Sequence, residues 1–205
     1  MNIAKKDGYL NWSAQGLFEY RLIINPDALV SEKVKEEKAQ LHGDYQREAL
    51  SLQSGITVAS FLAREPMEAT LMRWIQRICD FQEQFMVTLN NYSGFPPDTI
   101  YLRIQEPTPF GNLARQLKSV DDWVQSSACP PMNLVAKPYL SIARRLPEPV
   151  YTKAMFSYSQ RIFHESFMAT ELRLLRRAHS FEPSKTIHVF PLARTHQYVN
   201  EREIA

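Results

Sequence analysis

The sequence is poor in cysteine, the residue that builds disulfide frameworks and many zinc sites. It has two, Cys79 and Cys129, with no CxxC pair and no group of histidines near either one. Disulfide-rich folds and structural zinc sites need more such residues at regular spacing. We therefore expect two reduced, structural thiols, and nothing in the chain has the ligand spacing of a metal site.

Long apolar segments are also missing. The N-terminal stretch MNIAKKDGYLNWSAQG has early lysines but lacks the apolar core of about 7–15 residues that marks a signal peptide. No later window approaches the roughly 20 apolar residues that a membrane-spanning helix needs. These absences predict a cytoplasmic protein with no membrane partner.

A strong excess of one charge is absent as well. The net charge of +2 and the pI near 8.5 are too mild to indicate a nucleic-acid-binding protein on electrostatics alone. The 205 residues, 44% hydrophobic and 22% charged, fit one globular domain that can be bilobed. Composition therefore leaves the partner open.

Short apolar runs and amphipathic segments alternate along the chain and predict an α+β fold. We predict strands at residues 19–27, 55–63, 85–92, 99–107, 138–146, 167–177 and 186–194. Helices are predicted at residues 31–48 with Ser31 as the N-cap, after Pro66, at 110–126 and at 149–163. The proline-rich segment 127–138 is predicted to link two halves, and the polar tail from Thr195 to be irregular.

The two halves share short matches in the same order, which predicts a duplicated strand, helix, strand unit. The fold expected from this is bilobed, with two antiparallel sheets around a central cleft and helices outside. The lobes are roughly residues 19–130 and 131–194, with exchange of strands between them left open. The matching pairs are Gly55 with Tyr139, Thr57 with Ser141, Gln76-Arg77-Ile78 with Gln160-Arg161-Ile162, and FMVTL at Phe85 with FMATEL at Phe167.

Residues two apart on a strand point to the same side, so Gly55 and Thr57 share a face, as do Tyr139 and Ser141. If a pseudo-twofold axis relates the halves, these faces meet across a cleft and the two hydroxyls converge on one small ligand. Clefts between lobes are common ligand sites.

With ITVASF in one half and KPYLSIAR in the other, the sequence resembles the 2H phosphoesterase superfamily. That group includes the 2'-5' RNA ligase-like proteins and the cyclic nucleotide phosphodiesterases. The resemblance extends from about Glu19 to Arg194 and implies a His-x-Thr/Ser motif in each half. It further implies that the two histidines act as general base and general acid, while the two hydroxyls hold the phosphate of a 2',3'-cyclic or 2'-5' linkage.

Both histidine positions of the resembled motifs are occupied by other residues, Gly55 and Tyr139, whereas both hydroxyls, Thr57 and Ser141, are present. A positioned general acid or base contributes about 10²–10⁴-fold to the rate, and glycine supplies neither. An unperturbed phenol titrates near pH 10 and is a poor base at neutral pH. We therefore expect the ordinary reaction to be absent or very slow, with no confident catalytic residue.

Other side chains near the motifs are candidates for phosphate contacts or for plain exposed strand faces. Lys137 and Arg144 flank the second motif, and Arg103 shares a strand face with Tyr101. His188, on a predicted strand, is the histidine best placed to reach a cleft, and the other four are predicted to be solvated in helices or loops. Arg173, Arg176 and Arg177 are predicted on an exposed strand face, and Trp12, Trp74 and Trp123 in the core or an interface.

Three functions follow from these observations. The first is a non-catalytic member of the family whose cleft binds a nucleotide, an RNA end or another phosphorylated molecule, with no cofactor. The second is a divergent phosphodiesterase or RNA ligase that acts on 2',3'-cyclic phosphates or 2'-5' linkages with Tyr139 and His188. The third is a protein interaction module with a vestigial cleft, and the sequence leaves the oligomeric state open.

Overall fold

The structure is a computed structural model that describes residue 12 and residues 15–45, 55–180 and 182–194, without the side chains of residues 42, 44 and 45. Four α-helices and nine strands alternate along this part of the chain. The helices are α1 (Ala28–Tyr45), α2 (Glu68–Phe81), α3 (Thr108–Ser126) and α4 (Glu148–Tyr158). The strands are β1 (Leu17–Ile24), β2 (Ile56–Arg64), β3 (Phe85–Phe95), β4 (Thr99–Ile104), β5 (Asn133–Leu134), β6 (Tyr139–Ala143), β7 (His164–Ala169), β8 (Glu171–Arg177) and β9 (Lys185–Pro191).

The strands form two sheets in which all neighbouring strands are antiparallel. The first sheet has the order β5-β2-β1-β8-β9, and the second has the order β6-β4-β3-β7. Helices α2 and α3 pack against the first sheet, and α1 and α4 pack against the second. The predicted α+β class, with two antiparallel sheets and helices outside them, is confirmed.

Each sheet takes strands from both halves of the sequence. The late strands β8 and β9 join β1 and β2, while the early strands β3 and β4 join β6 and β7. Strands are therefore exchanged between residues 19–130 and residues 131–194, and neither segment builds a sheet alone.

The sequence interpretation of residues 167–177 as one strand is wrong. The segment contains the end of β7 and all of β8, separated at Thr170, and the two strands lie in different sheets. Phe167 pairs with Val87 in the second sheet, whereas Leu175 pairs with Arg21 in the first. The chain crosses between the sheets here without a glycine or proline, so the sequence carries no local signal of the break.

Two helix ends also differ from the prediction. Helix α1 begins at Ala28 and is capped by Asp27, whose Oδ1 accepts a hydrogen bond from the backbone N–H of Val30 at 2.9 Å. Ser31, the predicted cap, instead donates from its hydroxyl to the Pro26 carbonyl at 3.0 Å. Helix α4 ends at Tyr158 rather than near residue 163, so His164, predicted in a helix or loop, is the exposed first residue of β7.

One apolar cluster joins the sheets and helices. Val30, Val34 and Leu41 form the buried side of α1 in this cluster. The predicted helix residues 46–48 and the tail from residue 195 lie outside the described residues. Cys79 and Cys129 are free and buried, and burial, helped by Asp80, raises the pKa of the Cys79 thiol to about 12.

The tryptophans pack in or against the core, as predicted. Trp12 is buried and donates from its indole N–H to the Ala178 carbonyl at 2.7 Å. Trp74 and Trp123 stack at 6.0 Å between α2 and α3. Within the described part of the chain, none of the helices combines the length and the apolar character needed to cross a bilayer.

Candidate functional site

A cleft of about 540 Å³ lies where the first sheet meets the β6 edge of the second sheet. Thr57 of β2 and Tyr139 of β6 both line it, so the two predicted motif strands do meet at one cavity. Its wall consists of Glu19, Arg21, Thr57, Ser60, Tyr139, Arg144, Arg177 and the segment 133–136.

Strand alternation in β1 sends its charged residues into this cleft. Tyr20 and Leu22 are fully buried in the core, so Glu19 and Arg21 point to the opposite side of the sheet. In the register of the sheet, Glu19 lies opposite Arg177 and Arg21 lies opposite Ser60. The first sheet therefore contributes a charged wall whose members come from three different strands.

The cleft holds three arginines, Arg21, Arg144 and Arg177, and one carboxylate, Glu19. Glu19 is paired with Arg177. Burial lowers the pKa of Arg21; Glu19 opposes this effect, and the charges of Arg177 and Arg144 add to it. Burial, with Arg144 adding to it, also lowers the pKa of Lys38 on α1 to about 8. Cations that are held close enough to repel one another make a favourable place for an anion.

The two predicted hydroxyls have different positions. Thr57 lines the cleft, but Ser141 is only 8% exposed and is not part of its wall. The hydroxyl oxygen of Ser141 accepts a hydrogen bond from Nε of Arg144 at 3.0 Å. Ser141 thus orients the guanidinium group of Arg144 through its Nε. Thr57, in contrast, is available to contact a ligand directly.

Gly55 lies where the resemblance places the first histidine, and the space beside it is filled. A Cβ atom at this position would lie 2.6 Å from Cδ1 of Ile23 and 2.7 Å from Oδ1 of Asn25. Carbon atoms in contact are normally about 3.5–4.0 Å apart. A side chain at position 55 can enter only if these β1 and loop residues move.

Tyr139, at the second histidine position, belongs to a three-ring cluster with Phe95 and Tyr101. The ring centroids lie 4.5 Å apart for Phe95 and Tyr101, 4.9 Å for Tyr101 and Tyr139, and 5.1 Å for Phe95 and Tyr139. The guanidinium carbon of Arg144 lies 5.6 Å from the Tyr139 ring centre, and Nη2 of Arg144 donates to the phenol oxygen at 3.4 Å. These contacts hold the tyrosine ring in place.

The remaining candidates lie outside the cleft wall. Lys137 and Arg103 are exposed, and Nε of Arg103 donates to the Asn90 carbonyl at 3.2 Å. His188 lies opposite Leu174 of β8, on the sheet face away from Arg177, with its ring 4.5 Å from that of Phe190. Among the described residues, no group of three or more His, Cys, Asp or Glu side chains could hold a metal ion.

Sequence reasoning missed part of the charged wall. Arg177 was predicted on an exposed strand face but lines the cleft, and Glu19 and Arg21 were not singled out. The available signal was the alternation Glu-Tyr-Arg-Leu at the start of β1, which separates charged from apolar positions. No pattern in the sequence indicates that the side chain of Asn25 lies against Gly55.

Comparison with known proteins agrees with this architecture. A model of the 2'-5' RNA ligase superfamily matches residues 28–180. E. coli LigT in complex with 3'-AMP superposes with a TM-score of 0.66 at 18% identity, covering 86% of this chain and 98% of that chain. TT0787 of Thermus thermophilus superposes with a TM-score of 0.68 at 17% identity, covering 87% of this chain and all of that one.

No curated protein sequence matches the chain. At such low identity, the two solved structures establish the shared fold, and the family model, which spans well over half of the residues, establishes the relationship. The chain belongs to the 2'-5' RNA ligase superfamily, within the 2H phosphoesterases.

Proposed function

We propose that the cleft binds the phosphate of a nucleotide or an RNA end and does not catalyse the reaction of the family. The observation that carries this proposal is the set of three arginines, Arg21, Arg144 and Arg177, that line one cavity together with Thr57 and a single carboxylate. Arginine binds phosphate through paired, charge-assisted hydrogen bonds.

The electrostatics of the cleft support an anionic ligand. The direction of the Arg21 pKa shift shows that burial and two neighbouring arginines disfavour its charge, with Glu19 opposing them. A bound phosphate adds negative charge where the cations repel one another and so relieves that cost. Thr57 supplies a hydroxyl that can donate to a phosphate oxygen.

The absence of catalysis rests on the two replaced positions. Gly55 has no ionisable group, and Ile23 and Asn25 fill the space in which a side chain would stand. Tyr139 is packed against both Phe95 and Tyr101 and accepts a hydrogen bond from Arg144. If general acid and base catalysis each supply about 10²–10⁴-fold, loss of both removes most of the rate enhancement.

The complexes of E. coli LigT suggest which ligands to test. Its structures include complexes with 3'-AMP, phosphate, ATP and NADP+. A common feature of these ligands is at least one phosphate group, which is the group that the arginines of this cleft are suited to hold.

The proposal is tested by isothermal titration of the protein with 3'-AMP and 2',3'-cyclic nucleotides. We expect saturable binding that weakens with salt, and about 10-fold or greater loss of affinity in Arg144→Gln, because a hydrogen bond to a charged group is lost. Arg115→Gln, an equal change of charge on the exposed surface of α3, is the matched control and should bind normally. No binding at millimolar concentration, or equal affinity of the two variants, contradicts the proposal.

The two alternatives make different demands. An active phosphodiesterase or ligase requires turnover of 2',3'-cyclic or 2'-5'-linked substrates that falls in Tyr139→Phe, and no histidine among the described side chains lines the cleft. An interaction module requires a co-purifying partner whose binding is unchanged by Arg144→Gln. The cytoplasmic location remains a prediction.

A further inference from the structure

The aromatic cluster formed by Phe95, Tyr101 and Tyr139 presents its outermost ring to solvent. Phe95 is 46% exposed at the end of β3, although its ring stacks nearly parallel on Tyr101, with 25° between the planes. Single exposed apolar side chains are common on protein surfaces, so the position of Phe95 matters because its ring rests on two further rings. Tyr101 and Tyr139 lie beneath it and fix its orientation.

This cluster is directly connected to the cationic cleft. Tyr139 belongs to both, since it lines the cavity with Arg144 and contacts the ring of Phe95. The guanidinium of Arg144 lies over the Tyr139 ring, at 5.6 Å from its centre. A flat apolar surface and a positive charge therefore lie side by side. This arrangement is complementary to a nucleotide, whose base can stack on the aromatic rings while its phosphate pairs with the arginine.

We propose that the Phe95, Tyr101 and Tyr139 cluster is a nucleobase-binding site in which the base stacks on Phe95. This inference rests on the proposed function of the cleft and adds to it the place where the base of the nucleotide or RNA end is held. Because every base has a π-face, stacking of this kind tolerates different bases.

Tyr139 has a specific part in this arrangement. Phe95 and Tyr101 contact the ring of Tyr139, and Arg144 lies over that ring while its only bond to the phenol oxygen is a long one of 3.4 Å. Tyr139→Phe should therefore keep the affinity for 3'-AMP, whereas Tyr139→Ala should lose it together with the support for Phe95.

The experiment compares 3'-AMP, ribose 5-phosphate and inorganic phosphate in isothermal and NMR titrations of the natural protein and its variants. Phe95→Ala should weaken binding of 3'-AMP by about 5- to 150-fold, the usual range for loss of one base–aromatic stack, and leave inorganic phosphate unchanged. Phe95→Trp should retain binding. Phe81→Ala, at an 85% exposed phenylalanine that ends α2, is the matched control and should have no effect.

The outcomes separate this inference from the proposed function. If 3'-AMP binds no better than ribose 5-phosphate, or if Phe95→Ala and Phe81→Ala bind 3'-AMP equally, the nucleobase site is wrong while phosphate binding stands. If none of the three probes binds, the proposed function fails first. Loss of inorganic phosphate binding in Phe95→Ala would show a general disturbance of the cleft and would also overturn the inference.

Discussion

Substitution of Gly55 tests directly whether the space at the position assigned to the first histidine can accept a side chain. In Gly55→Ala, the added Cβ would lie 2.6 Å from Cδ1 of Ile23, 2.7 Å from Oδ1 of Asn25 and 3.2 Å from Cβ of Ile23. The first of these contacts is about 1 Å shorter than a normal carbon–carbon contact. Ile23 is buried in β1, so its side chain has little room to rotate away.

The expected effect can be sized from these contacts. Overpacking of a filled site costs about 1–3 kcal/mol. Replacing glycine by alanine returns about 0.4–1 kcal/mol, because the unfolded chain loses freedom. The mid-points of these ranges leave a net loss in the free energy of unfolding of about 1.3 kcal/mol, within limits of about 0–2.6 kcal/mol, which corresponds to a fall in Tm of roughly 3–5 °C for a chain of this size.

Thermal and urea unfolding, each followed by circular dichroism, measure this effect. Gly111→Ala is the matched control, because a Cβ on this α3 glycine meets nothing within 4 Å and should stabilise the protein slightly. Adding Ile23→Val, which removes Cδ1, should recover part of the loss in a double-mutant cycle. If Gly55→Ala is as stable as the natural protein, the site is not filled and the steric argument is refuted.

The same contacts predict that restoring both histidines with Gly55→His and Tyr139→His will not restore hydrolysis of 2',3'-cyclic nucleotides. An imidazole is much larger than a methyl group, and Ile23 and Asn25 already occupy its place. Shortening both residues, with Ile23→Val and Asn25→Ala, is required before the two histidines can be tested as an acid–base pair. Turnover by the simple double variant would contradict this prediction.

Two further predictions concern charged groups around the cleft. Burial, with Arg144 adding to it, lowers the pKa of Lys38 from 10.5 to about 8. Between these values the folded state releases the proton that the unfolded state keeps, so stability rises with pH, and Lys38→Met should flatten this rise in urea titrations. Asp121 is 4% exposed, accepts the Met132 N–H at 2.7 Å and pairs with Lys118 at 2.7 Å. Burial acts to raise its pKa, but these bonds and one from Gln125 hold the pKa below its ordinary value. Asp121→Asn should therefore cost about 1–3 kcal/mol at neutral pH, and the difference from the natural protein should shrink in acid, where the carboxylate is protonated; an unchanged difference would contradict the prediction.

The sequence predicted most elements because local patterns define them. Of the residues on the two predicted motif strands, Thr57 and Tyr139 line one cleft, whereas Ser141 does not. The break at Thr170 was missed because residues 167–177, with apolar and polar residues intermixed and no glycine or proline, read as one strand. Which sheet receives a strand depends on pairing with residues far away in the chain, and such pairing leaves no local signal.

The repeated sequence matches are a mixed guide to the fold. Residues 76–78 lie inside α2, but the matching residues 160–162 follow the end of α4. Val87 and Phe167, from the FMVTL and FMATEL segments, pair with each other in one sheet, so these segments are neighbours and not equivalent elements. An internal duplication therefore remains a prediction, and the matches in β2 and β6 are its best support.

The arginines of the cleft and the two positions that the resemblance assigns to histidines have separate structural origins. The space beside Gly55 is filled by Ile23 of β1 and by Asn25, which comes just after that strand. Tyr139 belongs to an aromatic cluster on the second sheet. The arginine wall depends instead on the pairing of β1 with β8, which brings Arg177 to Glu19 across 158 residues of sequence. Neither Gly55 nor Tyr139 contributes a charge to that wall. Under the function proposed above, the absence of acid–base catalysis and the binding of a phosphate are therefore independent, and each can be tested without the other.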